Sequence, residues 1–305
     1  MATTNTVTKS YAGEFAGEII SPALFKATTI DNGLITIKPN VKYKTILKRL
    51  STGSLLGADG CDFEADSSIV LDERELEVKM LKVNLQVCKS DYEDDYLALE
   101  QGDSAHNDLP KTFADHLIME VSKKVSKEME VAIWQGDGTA NTIEGFEAKF
   151  LADATVVDVA ASAIDATNVI AEMGKVVNAI STDVLTADDL HIYVSTSIAR
   201  AYIQALGGFA ASGANGFDAK GTQWYSGQAL SFGGIKVVVA NGLSQTKMVA
   251  ATKANLYFGT SLLSDQNEVK TIDMSPIDGS RNVRFVMRMS AGVQYSFGAE
   301  IVYYN

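Results

Sequence analysis

Cysteine and histidine are scarce in this chain, and long apolar runs are missing. Cys61 and Cys88 are its two cysteines. They are too few for a disulfide framework, lack C-x-x-C spacing, and fit a reducing compartment. No apolar stretch reaches ~18 residues, so no membrane-spanning helix is expected. Met1 to Ser10 is polar and Thr-rich, without the apolar core of a secretory signal. Basic residues are in deficit, with 26 Lys and Arg against 38 Asp and Glu and a net charge of −12. Nucleic-acid affinity rests mainly on phosphate neutralisation, so a chain this acidic is a poor direct binder of DNA or RNA. The same charge favours solubility at high concentration. The expectation is a soluble protein made in the cytoplasm.

Catalytic signatures are equally thin. G-x-x-x-x-G-K-[ST], H-E-x-x-H and G-x-S-x-G do not occur. The three histidines are His106, His116 and His191. His116 and Glu120 stand i, i+4 and could share a metal, but no third ligand is in sight and a surface pair is the plainer reading. Asp91, Glu93, Asp94 and Asp95 read as an acidic loop before a cation site. His191, inside an apolar strand pattern, reads as a satisfied core residue. Gly136-Asp137-Gly138-Thr139-Ala140-Asn141 begins like a dinucleotide loop, yet it lacks the third glycine and follows a helix, where that mechanism needs a strand. An EF-hand starting at Asp137 fails because Thr142 stands where glycine is required. No catalytic, cofactor-binding or metal residue is assigned, and no cofactor is expected.

What the chain does have is apolar content of 46%, ample for a core, and one long helix from Asn107 to the Gly136-Asp137-Gly138-Thr139 turn. Asn107 or Asp108 can cap its start and Pro110 suits its first turn. Gly136 is placed where a left-handed cap is easiest. Its apolar stripe is broad at Phe113, Leu117, Ile118 and Val121 and narrows to Val125 and Met129. It widens again at Val131 to Trp134. Such a waist suggests a helix laid along something thin, with Val125 and Met129 turned to a neighbouring subunit. The alternative, an intramolecular stripe, is left open.

Residues 1–30 form an arm with helical spacing at Tyr11, Phe15, Ile19, Ile20, Leu24 and Phe25, too little to bury itself. Leu34 to Ile37 reads as a strand stopped by Pro39. Lys38 to Arg49 is uniformly basic and Asp59 to Glu77 almost uniformly acidic; these are either two solvated faces or patches that meet between subunits. Leu76, Val78 and Met80 alternate with charges, and then Leu81, Val83, Leu85 and Val87 take the opposite phase. A one-residue slip sends one strand to two environments, as in an extended hairpin feeding a body sheet. Thr167 to Ile180 is an amphipathic helix, and Leu190 to Val194 a buried strand. Ser195 or Thr196 caps a further helix, and residues 207–231 form a Gly-rich loop. Strands at 235–240 and 247–251 follow. Long strands return at Val269 to Met274, Val283 to Met289 and Val293 to Tyr303.

This order of parts resembles the major capsid proteins of tailed bacteriophages with the HK97 fold. Trp134-Gln135-Gly136-Asp137-Gly138-Thr139 with Ile143-Glu144-Gly145-Phe146 is similar to the "G-D-G-T…EG" stretch after that family's spine helix, and Leu256 to Thr260 to its route out of the A domain. The resemblance implies an α+β subunit with an N-arm at 1–40 and an E-loop hairpin at 41–84. It implies a peripheral (P) domain from 85–158 and 262–305, with a long spine helix at about 108–135, and an axial (A) domain at 159–261. It further implies hexamers and pentamers in an icosahedral virion capsid, assembled in the host cytoplasm around double-stranded DNA that is enclosed without sequence-specific binding. Portal, scaffolding and decoration proteins are the implied partners, with scaffolding separate or already removed. An autocatalytic lysine cross-link, known in some members, could use Lys79 or Lys82, though solvated lysines are the plainer reading. An encapsulin-like shell around an enzyme cargo, or an unrecognised cytoplasmic hydrolase, are the alternatives.

Overall fold

One helix and one strand, both unusually long, set the frame of the computed structural model, which describes residues 28–53, 69–88, 111–139, 142–206, 230–261 and 270–305. The elements run α1 (Thr28–Asp31), β1 (Thr36–Lys38), β2 (Lys44–Thr52), β3 (Ile69–Glu77) and β4 (Lys79–Cys88). Then come α2 (Lys111–Gln135), α3 (Phe146–Ala152), β5 (Val157–Val159), α4 (Val169–Ala179), α5 (Thr182–Leu185), β6 (Leu190–Val194) and α6 (Thr196–Ala205). The chain closes with β7 (Leu230–Phe232), β8 (Ile235–Val239), β9 (Met248–Thr252), β10 (Leu256–Gly259), β11 (Lys270–Asp273), α7 (Ser275–Asp278), β12 (Asn282–Tyr295) and β13 (Val302–Tyr304).

The 14-residue β12 carries Val283, Phe285, Met287 and Met289 at period two, all buried. Such alternation builds a sheet with one committed face. β4 pairs antiparallel along residues 282–291 of β12, while β11 and β10 share its other edge and β1 adds outside β10. The second sheet runs β5-β13-β9-β6-β8-β7. Its central strands are apolar on both faces. Leu190, Ile192 and Val194 of β6 join Val302 and Tyr304 in a core with α4 and α6. Tyr193, Val249, Ala251 and Tyr303 point to the opposite core, shared with α2 and β12. A sheet covered on both sides needs continuous apolar strands, which explains why β6 shows no polar alternation. The strands at 157–159 and 302–304 therefore hydrogen-bond into the same sheet as 190–194 and 248–252.

The 25-residue α2 spans roughly 37 Å at 1.5 Å per residue. Residues 107–110, where its caps were expected, lie outside the described residues, as do the side chains of 111–120, His116 and Glu120 among them. At its waist the structure corrects the expected neighbour contact. Val125 and Met129 are 7% and 3% exposed and sit in the main core of their own subunit. The stripe looked narrow because the buried face also holds two polar residues, Ser126 and Glu130. The Glu130 carboxylate accepts from Thr28 Oγ1 at 2.9 Å, from Thr29 N at 3.1 Å and from Thr29 Oγ1. A buried charge held this way satisfies its hydrogen-bonding needs inside the fold.

Three further expectations are refined. The phase slip exists, but it lies at Val78, between β3 and β4: Leu76 and Val78 are buried, Leu81 and Val83 pack on the main core from the opposite phase, and Met80 is exposed. The basic and acidic stretches meet within one hairpin, since the β2–β3 register pairs Lys44 with Glu77 and Arg49 with Asp72. Lys44 Nζ lies 2.9 Å from Glu75 and 3.5 Å from Glu77. His191 is only half-buried, with Nδ1 2.6 Å from the Asp189 carbonyl oxygen. Ser195 does cap α6, accepting from Ile198 N at 3.4 Å.

Val125→Asp is expected to lower subunit stability by several kcal/mol, because it buries a lone carboxylate without a partner. Thermal melting of unassembled subunits checks this; an unchanged midpoint would return the stripe to an intersubunit role.

Candidate functional site

The α2 terminus is where helix, turn and hairpin converge. Trp134, fully buried, lies 5.4 Å from the Phe146 and Tyr193 rings and donates from Nε1 to Thr29 Oγ1 at 2.9 Å. The chain then doubles back. Gly145 N donates to Gly136 O at 2.8 Å and Gly138 N to Ile143 O at 3.2 Å, with Asp137 and Glu144 bridged antiparallel. Gly136 is not the left-handed cap that was expected; that conformation falls to Gly138, at φ 73°. Gly136 is needed for a different reason, since a Cβ there would stand 2.1 Å from the Ile143 carbonyl oxygen and 2.5 Å from that of Ala132. Asp137 closes the turn, accepting from Thr142 Oγ1 at 2.7 Å, Thr139 Oγ1 at 2.9 Å and Thr139 N at 3.1 Å. These bonds, Thr142's foremost, pull its carboxyl down to about 2. All three bonds converge on Oδ1, so the carboxylate closes the turn as an Asx-type lock. Lys79 Nζ donates to Gly138 O at 2.6 Å, tying β4 to the same turn.

The β2–β3 hairpin roots beside it. Leu47, Leu76 and Val78 bury its inner face with Val41. Arg74 crosses to the body, with its guanidinium 2.6 Å from Asp153 Oδ2 and 4.3 Å above the Tyr295 ring. Asp153 also accepts from Thr155 Oγ1 at 2.7 Å and N at 2.9 Å, and from Tyr295 Oη at 2.8 Å. Burial alone would raise its pKa, yet the bonds from Thr155, Arg74 and Tyr295 together outweigh it and hold the carboxyl well below the usual range. Burial and the bond to Asp153 push Tyr295 up to about 12. Arg49 Nη1 donates to Ser296 O at 2.7 Å and Gln294 Nε2 to Glu75 O at 2.7 Å.

Beyond the Arg49–Asp72 pair the ribbon loses its support. Leu50 and Leu71, directly opposed, are 58% and 61% exposed, and Ile69 and Val70 on alternate faces are exposed as well. A two-stranded ribbon is marginal in water by itself. Among the described residues this ribbon offers apolar side chains on both faces and pairs with no third strand, which makes it a candidate surface for association.

Asp91 to Asp95, His106, Cys61 and most of 207–231 lie outside the described residues, and Cys88 ends β4 half-buried. Among the described residues no cluster of three His, Cys, Asp or Glu could hold a metal, and no helix is long and apolar enough to cross a membrane. The root triad of Arg74, Asp153 and Tyr295 escaped sequence reasoning because its members stand far apart in the chain; only the lone Arg74 in an acidic run hinted at it.

No family model and no curated protein matches the chain. Solved structures do. The capsid of a native GTA particle aligns at TM-score 0.58 and 14% identity, over 91% of this chain and 89% of that one. Gordonia phage Cozz aligns at 0.57 and 12%, over 91% and 86%. A virus-like particle from Pyrococcus furiosus aligns at 0.51 and 12%, over 96% and 100%. At such identities the likeness is one of fold.

The hairpin root generates a pH prediction. A depressed carboxylate contributes stability that is fully present above its unfolded value, about 3.9, and is lost as pH falls toward the folded value. Asp153→Asn is therefore expected to destabilise the subunit by about 1–3 kcal/mol at neutral pH. The gap to wild type should close below about pH 4, as chemical denaturation across pH 2–7 would show.

Proposed function

We propose that this chain, whose fold is the HK97-like α+β fold of phage capsid subunits, is a major capsid protein. In this reading copies of it self-assemble as hexamers and pentamers into an icosahedral shell around packaged double-stranded DNA. The observation that carries the reading is the overhanging apolar ribbon. Leu50, Leu71, Ile69 and Val70 are unsatisfied in one subunit and are completed by another copy. The acidic surface suits a container that confines DNA without gripping it.

The parts follow that layout: an N-arm at 1–40, an E-loop at 41–84, a P domain from 85–158 and 262–305 around the spine helix, and an A domain at 159–261. Portal, scaffolding and decoration proteins are the further partners, the site of assembly is the host cytoplasm, and the role is structural, without turnover. A second reading, an encapsulin-like compartment holding an enzyme cargo, draws support from the likeness to the Pyrococcus furiosus virus-like particle across that whole chain.

Electron microscopy and size-exclusion of the purified chain test the shell directly. Rings or shells are expected; a stable monomer that turns over ester or phosphate substrates would sink the reading and favour a hydrolase. Nucleic acid inside particles from infected cells distinguishes the virion from a cargo compartment. Leu50→Asp with Leu71→Asp should abolish or misdirect assembly. The change should shift subunit stability by no more than ~0.5 kcal/mol, since both side chains face solvent.

A further inference from the structure

The β2–β3 ribbon has two unlike faces. Toward its own body it turns Leu47, Leu76, Arg49 and Arg74, which are buried or bonded there. The face turned away follows from the strand register, since cross-strand partners share a side. In β2 it holds Lys44, Ile46, Lys48 and Leu50; in β3 it holds Glu77, Glu75, Glu73 and Leu71, with Ile69 beyond. Ile46, Leu50, Leu71 and Ile69 are each more than half exposed. One side of this face is thus basic and the other acidic, and its far end is apolar. Lys44 is engaged within the ribbon by Glu75 and Glu77. Lys48 and Glu73 stand opposite each other, yet neither has an ion-pair partner among the described residues.

We propose that this outward face docks on the same face of a second copy, with a two-fold axis running along the strands. Symmetry and charge together select that arrangement. A two-fold along the strands lays β2 of one ribbon over β3 of the other, row by row. Lys48 then meets the second copy's Glu73 and Leu50 covers its Leu71, and symmetry repeats each contact in the opposite sense. A two-fold across the strands would set β2 on β2 and β3 on β3, with lysines against lysines and glutamates against glutamates, which repel. Facing sheets pack about 10 Å apart, a gap that Leu50 and Leu71 fill from both copies and that a lysine spans to reach a carboxylate. The inner face of each ribbon rests on its own body, so the two bodies lie on opposite sides of the paired ribbons. The ion pairs fix the register of the contact, and the leucines supply its apolar burial. This inference rests on the shell reading, which needs the ribbon to meet another copy, and names the surface it meets.

The test places photoreactive benzoylphenylalanine at Leu50 of the full-length chain. Isotopically labelled and unlabelled subunits are mixed and irradiated, and the adducts are mapped by mass spectrometry. Adducts to 69–73 that join a labelled to an unlabelled chain are expected, beside those each ribbon makes with its own Leu71. Lys48→Glu alone and Glu73→Lys alone should each cut the joined yield about tenfold, because like charges then stand face to face. An equal mixture of the two variants should restore it, since at these rows every carboxylate then meets a lysine of the other copy. Damage to the hairpin within each variant would not be repaired by mixing. Joined adducts at any other region, single variants that join as well as wild type, or a mixture that stays low would overturn the proposal alone if shells still form. A wild-type chain that stays monomeric and gives no joined adduct would overturn both this proposal and the shell reading.

Discussion

The whole subunit turns on how α2 ends. Trp134 is buried against Phe146 and Tyr193, and the next residue but one must let two backbones pass in contact. Gly136 and Gly145 have no side chains to hold those backbones apart, so the chain reverses against the Trp134 carbonyl and delivers Phe146 and Phe150 to the core. Phe150 then meets Tyr295 and Tyr303, at 5.2 and 5.6 Å, which joins the helix to both sheets. Dispersion at that density tolerates no extra methyl. The same knot supplies Gly138 O to Lys79, so the turn also fixes where β4 begins.

From that fixed point the hairpin is carried outward. Its register is set by Lys44–Glu77 and Arg49–Asp72 across the strands, and its angle by Arg74 on Asp153. Exposed ion pairs add little stability. Their use here is geometric, because they orient a ribbon that has no core of its own past Arg49. Inside the body Glu130, Tyr193 and Asn255 are all hydrogen-bonded, while the ribbon past Arg49 leaves Leu50 and Leu71 in water.

Much of this was legible beforehand. The long helix, the amphipathic Val169–Ala179, the buried β6, the Ser195 cap and the alternation in β12 follow from periodicities of 3.6 and 2. Less was legible wherever a residue's meaning depended on a partner distant in sequence. Glu130 looks like a solvent-facing residue until Thr28 and Thr29 arrive from about a hundred positions away. Gly136 reads as a cap until Ile143 is seen lying across it. Met80 fits an apolar alternation by type, yet it stands just past the phase change and points to solvent.

By itself the sequence determined the element types, the absence of the known catalytic signatures, the acidic balance and the order of parts, because these depend on local spacing and composition. Only the tertiary structure decided which faces are buried and which remain open. It turned the narrow stripe of α2 inward and joined opposite charges within one hairpin. It left Leu50 and Leu71 in water. Burial is a property of pairs of surfaces, and the chain writes only one member of each pair at a time.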